Sequence, residues 1–262
     1  MSFILNHSKF GQGPDLIILH GLFGSSANWR TVANALSTKF TVYALDARNH
    51  GNSPWSESMT YLEMADDVVR FLDHHNIKKA HLLGHSMGGK TAMTFALNHQ
   101  HRVNRLVIAD ISAKSYAGTN TGVHERNIEA MQSLDLAGLS EGRKQAELIL
   151  SAKLNESKPV LQFLLQNLII KDKLANWRIN LPIIKHSLNS IMGEIDTISK
   201  PTFDGSILFL YGNDSDYIQQ HDHDSIRNIF PNATISGIEN AGHWLHAEKP
   251  VEFTEKVKEF LT

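Results

Sequence analysis

The stretch Lys79–Gly89, KAHLLGHSMGG, constrains this chain more than any other. A short apolar strand runs into Gly84, His85, Ser86, Met87 and Gly88, and a helix-compatible segment follows. The G-x-S-x-G spacing fits a strand–turn–helix so tight that the serine backbone is strained and its Oγ is pushed out of the sheet. Glycines at 84 and 88 are then a steric requirement, because a side chain at either would collide with the neighbouring strand or helix. Ser86 is the candidate nucleophile. The helix behind it aims unpaired N–H groups, led by that of Met87, at the place where an oxyanion would form.

A chain of 262 residues with 42% hydrophobic content can bury one large core and still carry an insertion. Its formal charge of -2 gives no electrostatic case for nucleic acid or an anionic membrane as partner. The opening residues MSFILNHSKFGQG lack a basic region followed by a long apolar core, and no later run reaches membrane-spanning length. The absence of cysteine excludes disulfides and thiolate metal sites, and the cytoplasm is the default expectation for such a chain.

Strand and helix signals alternate along the sequence. Phe3–Asn6 reads as a strand, and Leu16–His20 (LIILH) as a buried one ending at HGLFGS, whose loop leads into a helix near Ser26 that contains Trp29. In an elbow enzyme this loop supplies the second oxyanion N–H, and Leu22 is the candidate. Phe40–Asp46 reads as the next strand. It is followed by ARNHGNS, where Asp46 and Arg48 are expected to support the loops around the elbow. Thr60 and Glu63 form a capping box ahead of Tyr61, Met64, Ala65, Val68 and Leu72 at helical spacing. Small residues Thr91, Ala92 and Ala96 suit a helix packed close to the sheet. The strand Val103–Asp110 then ends in an acid.

From Ser112 to about Lys200 no buried-strand run appears, while Leu134, Leu148, Ile149, Phe163, Leu164, Leu168, Trp177, Ile184 and Ile191 suggest several helices with apolar faces. A single crossover rarely needs so many residues. The expected organisation is a core in two parts, 1–111 and 201–262, with a helical cap inserted at 112–200. The sheet resumes at Ser206–Tyr211, and a last strand near Ala233–Ile238 leads to Asn240, Ala241, Gly242 and His243. His243, ahead of a helix opened by Pro250, is the candidate base, with His246 as its rival. His221-Asp222-His223 has a faint metal-ligand look but reads as a solvated polar run, so no metal is expected.

Together HGLFGS, DARNHGNS, GHSMGGK, the strand ending in Asp110, and AGHWLHAEKP resemble the α/β-hydrolase superfamily, and in detail the bacterial YbfF-type esterases and their mitochondrial relatives. The resemblance runs over nearly the whole chain and is weakest through 112–200. It implies an α/β-hydrolase fold, with a mostly parallel central sheet flanked by helices. It also implies a cofactor-free esterase or thioesterase acting on small-molecule esters, acyl-CoA included, through a Ser-His-Asp triad. The chain departs from the commonest pattern at the acid. The usual position, three residues beyond Gly212, holds Ser215, flanked by Asp214 and Asp216. Asp110 is the alternative and the expected acid, resembling the site from which YbfF-type enzymes draw theirs. Other classes share the fold: carbon-carbon hydrolases, lyases, haloperoxidases and non-catalytic small-molecule binding modules.

Overall fold

The computed structural model describes residues 3–118, 121–139, 141–172, 174–195 and 202–262. Its centre is a seven-stranded sheet in the order β1-β3-β2-β4-β5-β8-β9. The strands are β1 (His7–Phe10), β2 (Asp15–Leu19), β3 (Thr41–Leu45), β4 (Ala80–His85), β5 (Val103–Ala109), β8 (Ile207–Gly212) and β9 (Ala233–Ile238), while β6 (Leu168–Lys171) and β7 (Leu174–Trp177) pair apart from it. Only β1 runs antiparallel to its neighbour; all other pairs of the sheet are parallel. Parallel strands covered on both faces need continuous apolar runs, and LIIL in β2 and AHLLGH in β4 are buried nearly throughout.

The helices α1 (Arg30–Leu36), α2 (Tyr61–His74) and α3 (Met87–Asn98) connect the first strands. Thr60 caps α2 through the expected reciprocal bonds with Glu63. The helix α3 is buried from Met87 to Leu97, and its Thr91, Ala92 and Ala96 allow the close packing their size suggested. Between β5 and β8 lie α4 (Thr121–Gln132), α5 (Arg143–Lys153), α6 (Lys158–Leu165), the β6–β7 hairpin and α7 (Leu181–Met192). After β8 come α8 (His223–Ile229), α9 (Leu245–Glu248) and α10 (Pro250–Leu261). Among the described residues no helix is long and apolar enough to cross a membrane.

The structure corrects the sequence reading of two strands. The first strand is His7–Phe10 rather than Phe3–Asn6, because the backbone of Asn6 is engaged by Ser53 Oγ at 2.8 Å and by the N–H of Asp46 at 2.8 Å, at the end of β3. Leu168 and Trp177 face each other across the antiparallel hairpin and do not lie on helices. Asp172 turns that ribbon with φ 51°, and of its two short strands only Leu168 is buried, so the apolar LII of β6 does not have the two-sided burial of the sheet strands. The boundary expected at residues 200 and 201 lies outside the described residues.

Every parallel strand points its C-terminal end at one edge of the sheet, which is where α/β folds collect ligand-facing groups. His20, Asp46, Ser86, Asp110, Ser215 and His243 all follow strand ends there.

Candidate active site

Ser86 occupies the turn between β4 and α3 with φ 52° and ψ −121°, a backbone conformation that an L side chain adopts only when its surroundings impose it. Those surroundings are identifiable. Its N–H donates to Ala109 O at 3.1 Å, at the end of β5, and its carbonyl accepts from Lys90 N at 3.1 Å. His85 and Met87 on either side are buried, while Ser86 is partly exposed. A Cβ at Gly84 would stand 2.3 Å from Gly88 O, and one at Gly88 would stand 2.3 Å from Leu19 O. The turn therefore needs both glycines to fit between β2 and α3. Gly88→Ala is expected to cost about 1–3 kcal/mol of stability, a drop of several degrees in Tm that calorimetry would read.

Asp110, wholly buried and also at positive φ (51°), lies one residue beyond Ala109. Its Oδ1 accepts from Gly212 N at 3.1 Å; its Oδ2 accepts from Ser215 Oγ and meets His243 Nδ1 at 2.7 Å. Ser215 is buried, and it holds Asp110 from the loop position where an acid more often stands. Asp214 and Asp216 are both exposed. A one-residue offset in this loop thus turns the carboxylates to solvent and the hydroxyl inward.

Burial pushes the Asp110 carboxyl up to about 7, against the Ser215 and Gly212 donors that favour its charge. Burial also pushes the His243 ring down to about 3. Two partners in one hydrogen bond titrate as a pair, and the state that burial favours is the one with no net charge, which holds one proton more than a neutral imidazole beside an ionised carboxylate.

His243 is further fixed by Tyr217, stacked on its ring at 3.9 Å, and by His85, whose Nε2–H donates to His243 O at 2.8 Å. His246 is engaged elsewhere. Its ring stacks on Trp29 at 4.3 Å, nearly parallel, and among the described residues its Nδ1 has no hydrogen-bond partner. Ser86 and His243 line one cleft of about 230 Å³, together with Leu22, Phe23, Phe163 and Trp244. Among the described residues the two make no direct hydrogen bond, a spacing common before substrate closes such a site.

Leu22 and Met87 border the same small cavity beside Ser86. As the first residue of α3, Met87 has an N–H without an acceptor inside the helix. The loop carrying Leu22 is held by two histidines that the sequence reading passed over. His20 Nδ1–H donates to Gly21 O at 2.8 Å while its Nε2 accepts from Ala47 N at 2.9 Å; His50 Nε2 accepts from Phe23 N at 3.2 Å. Burial pushes His50 down to about 3, so it stays a neutral acceptor. Asp46 supports the same loops through Ser26 N and Asn52 N. Arg48 turns instead to α2, in a two-point pair with Asp67. The run His221-Asp222-His223 is not simply a solvated one as the sequence suggested, because Asp222 is buried and bonded to Lys114 Nζ at 2.6 and 2.7 Å.

A family model described as alpha/beta hydrolase fold matches residues 14–250. The chain belongs to the α/β-hydrolase family. It is 42% identical over 258 residues to the sn-1-specific diacylglycerol lipase ABHD11 of Danio rerio, covering 96% of this chain and 79% of that one. With Esterase YbfF of Escherichia coli it shares 34% identity over 246 residues, covering 94% and 92%. The solved structure of a marine microorganism esterase superposes with a TM-score of 0.95 at 40% identity, covering 99% of this chain and 100% of that chain. This α/β-hydrolase is accordingly of the esterase/lipase type, a carboxylic ester hydrolase.

Proposed function

We propose that the enzyme is a serine esterase working through an acyl-enzyme, with Ser86 as nucleophile, His243 as base and Asp110 as the acid that orients the ring. The observation that carries this reading is the 2.7 Å contact of Asp110 Oδ2 with His243 Nδ1, behind a cleft onto which the strained, partly exposed Ser86 opens. With Nδ1–H directed at the carboxylate, Nε2 is free to take the Ser86 proton as Oγ attacks the acyl carbonyl. The N–H groups of Leu22 and Met87 stabilise the oxyanion. The alcohol leaves with the proton returned from His243, and water then attacks the acyl-enzyme with His243 again as base.

Residues 112–200 act in this reading as a cap. Val123 from α4 and Val160, Phe163 and Leu164 from α6 contribute apolar surface to the cleft. Burial of an acyl chain against it supplies binding energy of roughly 0.8 kcal/mol per methylene. Removing the α6 side chains, as in Phe163→Ala, should therefore cost activity on long acyl esters more than on an acetyl ester, measured as kcat/KM across a chain-length series.

Thioesters fall within the same chemistry, and acyl-CoA is the charged test of it. Among the described residues the cleft lining includes the carboxylate of Glu156 and neither lysine nor arginine, so a polyanionic leaving group meets no counter-charge there. Neutral alcohols suit the site better. The diacylglycerols named for the Danio rerio relative are of that kind. Propyl butyrate, ethyl thiobutyrate and butyryl-CoA make the experiment. The reading expects both neutral substrates to turn over, and ethyl thiobutyrate to exceed butyryl-CoA in kcat/KM by about tenfold or more. A preference for butyryl-CoA would reverse the leaving-group assignment, and inertness toward all three would remove the esterase reading.

A further inference from the structure

The cleft shared by Ser86 and His243 is largely apolar, yet α4 sends two polar side chains to it. His124 and Asn127, three residues apart, lie on one face of that helix and both border the cleft. Asn127 is 4% exposed, and its Oδ1 is buried without a hydrogen-bond partner among the described residues. Nδ1 of His124 is buried in the same state, and the ring's described neighbour is Phe23, 6.0 Å away between centroids. Leaving a buried acceptor or donor unpaired is costly, and such atoms are found where a ligand or water completes them. Two of them on one helix face, at the cleft of the nucleophile, are placed to be completed by substrate.

We propose that His124 and Asn127 form a polar subsite that binds a hydroxyl group of the substrate, a site that rests on the serine-esterase reading above. A hydroxyl donates once and accepts as well, which matches an amide beside a neutral imidazole. Burial holds His124 down at about 4, so its ring carries no charge at neutral pH and offers one donor and one acceptor. An ionised group fits less well. Among the described residues the main cleft offers an anion no lysine or arginine and the carboxylate of Glu156 repels it, while Lys90, which borders the smaller cavity, has its Nζ committed to the carbonyls of Lys114 and Gly193. His124 borders the smaller cavity as well as the main cleft, and Leu22, Ser86 and Tyr217 are likewise common to both. A hydroxyl held at that junction lies beside the nucleophile, on the acyl chain near its carbonyl or on the first carbons of the alcohol.

Two matched pairs of esters separate these sources, assayed with the full chain. The acyl arm compares para-nitrophenyl butyrate with its β-hydroxy analogue. The alcohol arm compares propyl butyrate with hydroxyethyl butyrate. The subsite predicts that the hydroxylated member is favoured about tenfold or more in kcat/KM in one arm, which identifies the part of the substrate that is read. Asn127→Leu and His124→Phe should each pull that ratio toward one. Because both esters of a pair are measured on one preparation, the ratio is insensitive to the fraction of active protein, and the wild-type ratio is decisive if a variant does not fold. Ratios near one in both wild-type arms, or a wild-type preference that both variants retain, would overturn the subsite and leave the two atoms to solvent. Failure to hydrolyse any of the four esters would instead overturn the serine-esterase reading, and the subsite with it.

Discussion

Ser86→Ala is expected to reduce ester hydrolysis by about 10⁴-fold or more while leaving Tm within a degree or two of the wild type. The separation of the two effects follows from the turn. Alanine keeps the Cβ, so the strain of φ 52° is unchanged, and the backbone bonds to Ala109 and Lys90 that impose it do not involve Oγ. Only the nucleophile is lost. The oxyanion donors and the cleft remain, which sets the residual rate. Steady-state kinetics on para-nitrophenyl butyrate together with a thermal melt makes the measurement. Comparable loss of folding and activity would mean that the serine hydroxyl holds the turn rather than attacking a substrate.

Asp110→Asn is expected to cut turnover by about 10³- to 10⁴-fold, because an amide N–H facing Nδ1 forces the proton onto Nε2, where the base is needed. The pH profile carries a second signature. In the wild type the active form of this reading is the neutral imidazole, protonated at Nδ1, beside the ionised carboxylate, without the additional proton. Adding that proton either charges His243 or places the hydrogen on Nε2, and both block proton transfer from Ser86. Activity should fall as pH drops through the apparent pKa of the pair, near the value of about 7 to which burial lifts Asp110. In Asp110→Asn only the imidazole titrates, and burial holds it low, so the acid limb of the residual activity should move to lower pH. A limb unmoved by the substitution would place the controlling group elsewhere. Asp214→Asn and Asp216→Asn, on exposed side chains, should each cost little. A collapse in either would transfer the acid to that loop.

Much of this arrangement is legible in the sequence because the constraints are local. LIILH, FTVYALD and the run into GHSMGG must be buried parallel strands, and the two glycines of the elbow are required by distances within one turn. Asp110 follows a strand directly, so its position at the edge of the sheet follows from that strand. What the sequence conceals depends on contacts between distant segments. Ser215 binds Asp110 across 105 positions, and whether it or a flanking aspartate turns inward is fixed by the bonds of Asn213 N to Ile238 O and Asp214 N to Ala241 O and by the turn bond of Ser215 N to Gly212 O. His20 and His50 look like two of many histidines until the loops they join are side by side. The first strand was displaced for the same reason, since Asn6 is held by Asp46 and Ser53 rather than by a sheet partner. The β6–β7 hairpin has too little buried surface to announce itself by pattern.

The central claim is that Ser86 is an activated nucleophile, and covalent labelling with a fluorophosphonate tests it most directly, because only a serine whose proton is taken by a base is phosphonylated rapidly. Intact-protein and peptide mass spectrometry of the wild type should find one adduct, on Ser86, forming within minutes, absent in Ser86→Ala and strongly slowed in Asp110→Asn. Rapid labelling of a different residue, or undiminished labelling of Ser86→Ala, would contradict the account.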